Sequence, residues 1–178
     1  ARHFDQIRRL SRSPGKTQTV AIHFASVDDA KTRLHQIVNA DVVERQLDGI
    51  VSDQLAVALF AHRAFLVEGT TESSVFHGIG DKMSLGALEA AGISIVPVGG
   101  KTSIPLVHAI LSALGIPVYA LFDADRACAA RAKAKGKQQN KIDEELAKNA
   151  RENRTALKYF GIAEEDFPEA VVGDTVAI

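Results

Sequence analysis

Three stretches decide the fold: AFLVEGTTESSVF (Ala64–Phe76), ISIVPVGGKTSI (Ile93–Ile104) and PVYALFDADR (Pro117–Arg126). Each opens on a short apolar run, Ala64–Val67, Ile93–Val98 and Pro117–Phe122, and each run gives way to turn residues or acids. Runs this short, rich in Val, Ile and aromatics, read as strands buried on both faces. Between them lie helix-periodic segments, Thr71–Gly80, Ser84–Ala91 and Thr102–Leu114. The last carries Pro105 in its first turn, where proline is tolerated, and closes at Gly115. Strand–helix alternation of this kind predicts an α/β fold: a parallel, Rossmann-like sheet flanked by helices.

Outward from this unit the pattern loosens. Toward the N-terminus, Pro14-Gly15 predicts a turn and Thr17–Phe24 a strand. A helix is expected from Asp28 or Asp29 to about Ala40, with Leu34, Ile37 and Val38 on one face. A second, opened by Asp41 with Glu44 three residues on, is expected to run to about His62. Toward the C-terminus, Arg126–Asn140 is polar and reads as partly mobile, Lys141–Phe160 as a long helix, and Glu169–Ile178 as a new strand. The chain starts without Met and stops inside that last strand, so a fragment open at both ends is expected.

Composition bounds the class. The 178 residues are 46% hydrophobic and 24% charged, enough for one ordinary globular core plus an appendage. The single Cys128 excludes an internal disulfide framework and argues against a cysteine-based zinc site. No apolar run approaches a membrane span and no signal peptide precedes the domain, so no membrane contact and a cytoplasmic setting are expected. Net charge is −1, but Arg126–Lys158 holds ten Lys/Arg against four Asp/Glu, a local excess that suits either a phosphate-facing surface or a solvated helix face.

The chemistry lies at strand ends. In open parallel sheets ligands sit outside the carboxyl ends of the strands. Glu68 follows the first strand of the unit; Asp123 and Asp125 follow the third. Glu72, in the first turn of the next helix, adds a fourth carboxylate or merely caps that helix. Gly69 is expected to let the chain turn, and the two-residue spacing of Asp123 and Asp125 to aim both the same way. Carboxylates gathered this way remain ionised when cations neutralise them, and oxygen donors alone favour Mg²⁺ or Mn²⁺. A pair of such ions could activate water at a phosphodiester.

Two segments imitate a phosphate loop, PGKT (Pro14–Thr17) and GGKT (Gly99–Thr102). Neither has the required upstream glycine, because Leu10 and Ile95 stand there. PGKT reads as a turn. GGKT follows a strand and precedes a helix on the acidic edge, so Gly99, Gly100 and Lys101 are candidate phosphate contacts, as is Arg126, and Lys101 is a candidate catalytic residue that offsets charge on the scissile phosphate or transition state; a glycine turn with a solvated lysine is the competing reading. His62, His77 and His108 show no ligand spacing, and Ser73 and Ser74 have no neighbouring base.

At LVEGTTESSVF, VPVGGKTSI and LFDADR the chain resembles the OLD (overcoming lysogenization defect) nucleases of class 2, over about Ala64–Asp174. The order strand-Glu-Gly, α/β unit, strand-Asp-x-Asp is the Toprim pattern. The resemblance implies a Toprim domain over residues 63–178, with a helical insertion at 126–160 and further chain beyond. It also implies an ATPase remnant at 1–27 and a helical linker or dimerisation segment at 28–62. It implies a metal-dependent DNA endonuclease with DNA as partner, a homodimer, two Mg²⁺ or Mn²⁺ ions, and ATP bound only by a preceding domain. Glu68, Asp123 and Asp125 would hold one ion and Glu72 a second, with Asp174 carried over as a further ligand. A later catalytic lysine would lie beyond Ile178. The competing activities are a dehalogenase-like phosphatase, with Asp123 as nucleophile and Asp125 as acid, another Toprim activity of primase or topoisomerase type, and a non-enzymatic DNA-binding or dimerisation module.

Overall fold

A parallel sheet holds the centre of the computed structural model, which describes residues 6–12, 20–34, 37 and 53–178. In chain order the elements are strands β1 (Arg9–Arg12) and β2 (Val20–His23), helices α1 (Val27–Leu34) and α2 (Asp53–Ala58), β3 (Arg63–Val67), α3 (Thr70–Met83), α4 (Ala87–Ala90) and β4 (Ile93–Pro97). A 3-10 turn (Lys101–Ser103) leads into α5 (Ile104–Ala113); β5 (Val118–Leu121), α6 (Cys128–Ala134), α7 (Gln139–Tyr159) and β6 (Val176–Ala177) follow. The sheet order is β4-β3-β5-β6, and every neighbouring pair is parallel. The expected α/β class is therefore what the chain adopts.

The three apolar runs became strands because their side chains are buried. Leu66 and Val67 in β3, Val96 in β4 and Ala120 in β5 are all nearly inaccessible. One sheet face meets α5, through Ile104, Val107 and Leu111, and α7, through Ala156. A second cluster joins the outer side of α5 (Leu106, Ala109, Ile110, Leu114) to Ala25, Val27, Ala30 and Leu34 of the N-terminal segment. Full burial of a leucine such as Leu66 or Leu111 stabilises the fold by about 1.5–3 kcal/mol. The opposite sheet face is covered lightly: Phe65 meets Phe76 edge-on at 4.8 Å, while Val75, Ile79 and Met83 of α3 remain exposed. No helix among the described residues is long and apolar enough to cross a membrane.

Several local expectations shift. α1 starts at Val27 because Ser26 caps it: Asp29 N–H donates to Ser26 Oγ (3.1 Å) and Ser26 N–H donates to Asp29 Oδ2 (2.8 Å), a reciprocal box. The Ser26 N–H and the Ser26 hydroxyl (2.9 Å), both donating to Asp29 Oδ2, hold that carboxyl below its usual range. β1 was not anticipated. It pairs antiparallel with β2, and Arg9 fastens this hairpin to the rest through the carbonyls of Leu59, Ala61 and Gly115. Part of the polar stretch 126–140 is helical: α6 buries Cys128 and Ala132, and α7 begins at Gln139. The expected C-terminal strand turns back on itself at Gly173-Asp174. Val171 and Ile178 exchange backbone hydrogen bonds, and only Val176–Ala177 joins the sheet. The readings at Pro14–Thr17, Thr17–Thr19, Val38 and Asp41–Glu44 fall outside the described residues.

His108 of α5 is stacked edge-on against Tyr159 and Phe160 and shares a 2.9 Å hydrogen bond with the Tyr159 hydroxyl. Burial, with Arg33 nearby, lowers its pKa from 6.5 to about 4, so the folded chain keeps the ring neutral. An unfolded chain binds that proton near pH 6.5. Stability from this site is thus complete above pH 6.5 and lost as pH falls toward 4. Urea unfolding at pH 7 and pH 5 should show a loss of stability that His108→Gln makes smaller.

Candidate metal centre

Register decides which acids meet. Leu66 of β3 is level with Val96 of β4 and with Ala120 of β5, so the carboxyl ends of β3 and β5 form one edge. Glu68 and Asp123 leave that edge side by side: the Asp123 N–H donates to Glu68 Oε1 at 2.7 Å. The Asp125 N–H in turn donates to Asp123 Oδ1 at 2.8 Å. Burial pushes the half-buried Glu68 carboxyl above its ordinary pKa; the Asp123 N–H and the Lys101 ammonium oppose that shift, and the charges of Asp125 and Asp123 add to it.

The two aspartates do not project in parallel, as an extended segment would require. Asp125 has φ 56°, a left-handed conformation that costs a residue with a Cβ about 1–2 kcal/mol. Its carboxylate is turned toward two cations. Oδ2 accepts from Lys101 Nζ at 2.9 Å and Oδ1 from Arg131 Nη2 at 2.6 Å. The turn is locked from its backbone as well. The Asp123 carbonyl accepts from Lys101, the Ala124 carbonyl from Asn153 Nδ2 (2.8 Å), and the Asp125 carbonyl from the Cys128 N–H (2.9 Å).

Lys101 is therefore placed differently from a phosphate contact. It is 3% exposed and lies over the Phe122 ring. Its three N–H bonds go to the Asp123 carbonyl, Asp125 Oδ2 and Asn153 Oδ1. An ammonium has three donors, so none remains for a substrate. The turn before it explains how the lysine gets inside. Gly99 (φ 79°) and Gly100 (φ 124°) adopt conformations that favour glycine, and the Gly100 N–H donates to the Glu68 carbonyl at 2.9 Å. That N–H is thus used by the fold; GGKT is a structural turn that ties the end of β4 to the end of β3.

The remaining candidates separate. Glu72 Oε2 accepts from the Gly69 N–H at 3.0 Å, so this exposed carboxylate caps α3 beside the site. Gly69 is itself extended (φ −145°), contrary to the sharp turn expected of it; what the glycine supplies is room, since a Cβ would lie 3.2 Å from Glu72 Oε2. Arg126 is exposed and lies 3.7 Å from Glu169. Asp174 is a clear departure. β5–β6 register sets Val176 level with Ala120, which leaves Asp174 before β6, at the amino end of the sheet. At roughly 3.3 Å per residue it is on the order of 15 Å along the strands from Asp123. Strand direction excludes it from this edge.

Asn153 and Arg131 were missed. Asn153 is fully buried on the α7 face that also buries Ile142, Ala150, Ala156 and Leu157. A polar residue interrupting that helical stripe was the available signal. Arg131 had only the general basicity of its segment as a signal.

The donor set suits a hard divalent cation: Glu68, Asp123 and Asp125 offer carboxylate oxygens within one hydrogen-bonded group at the sheet edge. Yet among the described residues no three Asp, Glu, His or Cys side chains stand ready as a coordination sphere. Both oxygens of Asp125 are already matched by internal cations.

A parallel sheet with Glu after one central strand and Asp-x-Asp after its neighbour defines a Toprim-type domain. More particularly, residues 59–125 match the family described as overcoming lysogenization defect protein-like, TOPRIM domain, and over this stretch the chain carries an OLD-like Toprim domain. The matched residues include Glu68, Glu72, Lys101, Asp123 and Asp125. Toprim domains generally use divalent metal ions and act on nucleic acid. No curated protein matches the chain.

Removing the Lys101 ammonium leaves three oxygens without their donor. Lys101→Met should destabilise the fold by about 2–4 kcal/mol in denaturant unfolding. A change near zero would show that the buried ammonium does not hold the turn.

Proposed function

We propose that this chain is the nuclease part of an OLD-type protein: a Mg²⁺- or Mn²⁺-dependent DNA endonuclease that hydrolyses phosphodiester bonds by two-metal catalysis. The observation that carries the reading is the 2.7 Å hydrogen bond from the Asp123 N–H to Glu68 Oε1, which joins the two motifs at one sheet edge across 55 residues of sequence. Support from the family comes from the match over residues 59–125.

On this reading Glu68 and Asp123 supply the principal metal oxygens and Asp125 joins them, while Glu72 serves a second ion from the first turn of α3. A divalent ion bound there supplies Lewis-acid activation of water and stabilisation of the leaving oxygen. The protein's share is placement. Lys101 and Asn153 hold the Asp123–Asp125 turn, so Lys101 acts as a positioning residue, through the aspartates. The exposed Arg126 and the basic segment that follows supply phosphate contacts, which orient a duplex without reading its sequence. An ABC-type ATPase domain and a homodimer complete the reading, and rest on the family resemblance.

A plasmid-nicking assay with Mg²⁺ and with Mn²⁺ tests it. Glu68→Ala and Asp123→Ala should lose metal-dependent nicking while keeping a cooperative thermal transition. Undiminished nicking by both variants would contradict the mechanism. Turnover of a small phosphate ester without nicking would favour a phosphatase instead.

A further inference from the structure

Asp125 is held by two cations of different character. Lys101 is buried, takes Oδ2, and is tied to two further acceptors. Arg131 is half exposed, takes Oδ1 at 2.6 Å, and projects from α6, the helix that follows directly on the turn. A charge-assisted hydrogen bond of that length is a strong local contact, but an exposed guanidinium can exchange it for water at small cost. A buried ammonium cannot.

A cation that approaches Asp125 Oδ1 meets that guanidinium charge. Two cations cannot approach one carboxylate oxygen closely without repulsion, and a divalent ion carries twice the charge of the guanidinium. We infer that Arg131 is a replaceable counter-ion of the metal centre: it pairs with Asp125 Oδ1, and a divalent ion that takes Asp125 as a ligand displaces it. Lys101 is its fixed counterpart, keeping Oδ2 and the turn in place throughout. Together the two cations balance the charge of Asp125 beside the neighbouring Glu68 and Asp123. Arg131 thereby sets metal affinity from outside the ligand shell.

This inference rests on the metal-centre reading, and the experiment separates the two. Mn²⁺ binding is measured by calorimetry on the intact chain and on Arg131→Gln, Asp125→Asn and the double variant, with thermal melts to verify folding. Arg131→Gln should bind Mn²⁺ about tenfold more tightly than the unaltered chain. In the Asp125→Asn background the same substitution should change affinity by less than about twofold, because the contact it relieves is already gone. Equal tightening in both backgrounds would mean that Arg131 merely repels cations at a distance, and would overturn the inference; so would unchanged or weaker binding by Arg131→Gln. An unaltered chain that binds no Mn²⁺ would remove the metal centre itself, and the inference with it. A second readout needs no Asp125 variant: the Arg131 side-chain N–H resonance should lose its protection from solvent exchange as Mg²⁺ saturates the site. Retained protection at saturation would overturn the displacement.

Discussion

One buried ammonium holds the site together. Lys101 is placed inside the protein by the glycine turn after β4, and a buried cation is tolerated only where acceptors surround it. Those acceptors come from two other places, the turn after β5 and the middle of α7. The lysine thus joins three parts of the chain distant in sequence. It also gives Asp125 a reason to adopt a left-handed conformation that a free aspartate would seldom take. The network extends to β3 through the Gly100 N–H on the Glu68 carbonyl and the Asp123 N–H on the Glu68 carboxylate. Sheet register brings the strand ends together; Lys101 shapes what stands on them.

Electrostatics then distributes the work. Glu68, desolvated and near two aspartates, has its carboxyl pushed upward in pKa, so its charged form gains from any cation delivered to the edge. Asp125 has its charge matched from within, by one cation that is fixed and one that is exposed. Glu72 is engaged with the start of α3. The acids therefore differ in availability, although by residue type they look equivalent.

Much of the fold was legible because it depends on local pattern. Short apolar runs between amphipathic segments became the parallel strands β3, β4 and β5, and the placement of Glu68, Asp123 and Asp125 just past the carboxyl ends of β3 and β5 followed from those runs. What was not legible depends on geometry between elements. Asp174 looked like another strand-end acid, but which end it occupies follows from the β5–β6 register and the Gly173-Asp174 turn, not from its neighbours in sequence. Lys101 looked like a phosphate contact because its glycines resemble a phosphate loop. Only the packing of α7, which brings Asn153 to it, shows the ammonium facing inward. Arg131 lies six residues beyond its partner, a spacing that carries no signal unless the first turn of α6 is known. The match to the OLD-like Toprim family over residues 59–125 agrees with the part that local pattern made readable. Asn153 and Arg131 both lie outside it.

The central claim is that the carboxyl ends of β3 and β5 form a divalent-cation site built on Glu68 and Asp123. The most direct measurement is anomalous diffraction from crystals of the chain equilibrated with Mn²⁺. The account predicts an anomalous peak at the sheet edge, within coordination distance of Glu68 and Asp123 oxygens. A peak elsewhere on the molecule, with this edge empty at saturating Mn²⁺, would contradict it.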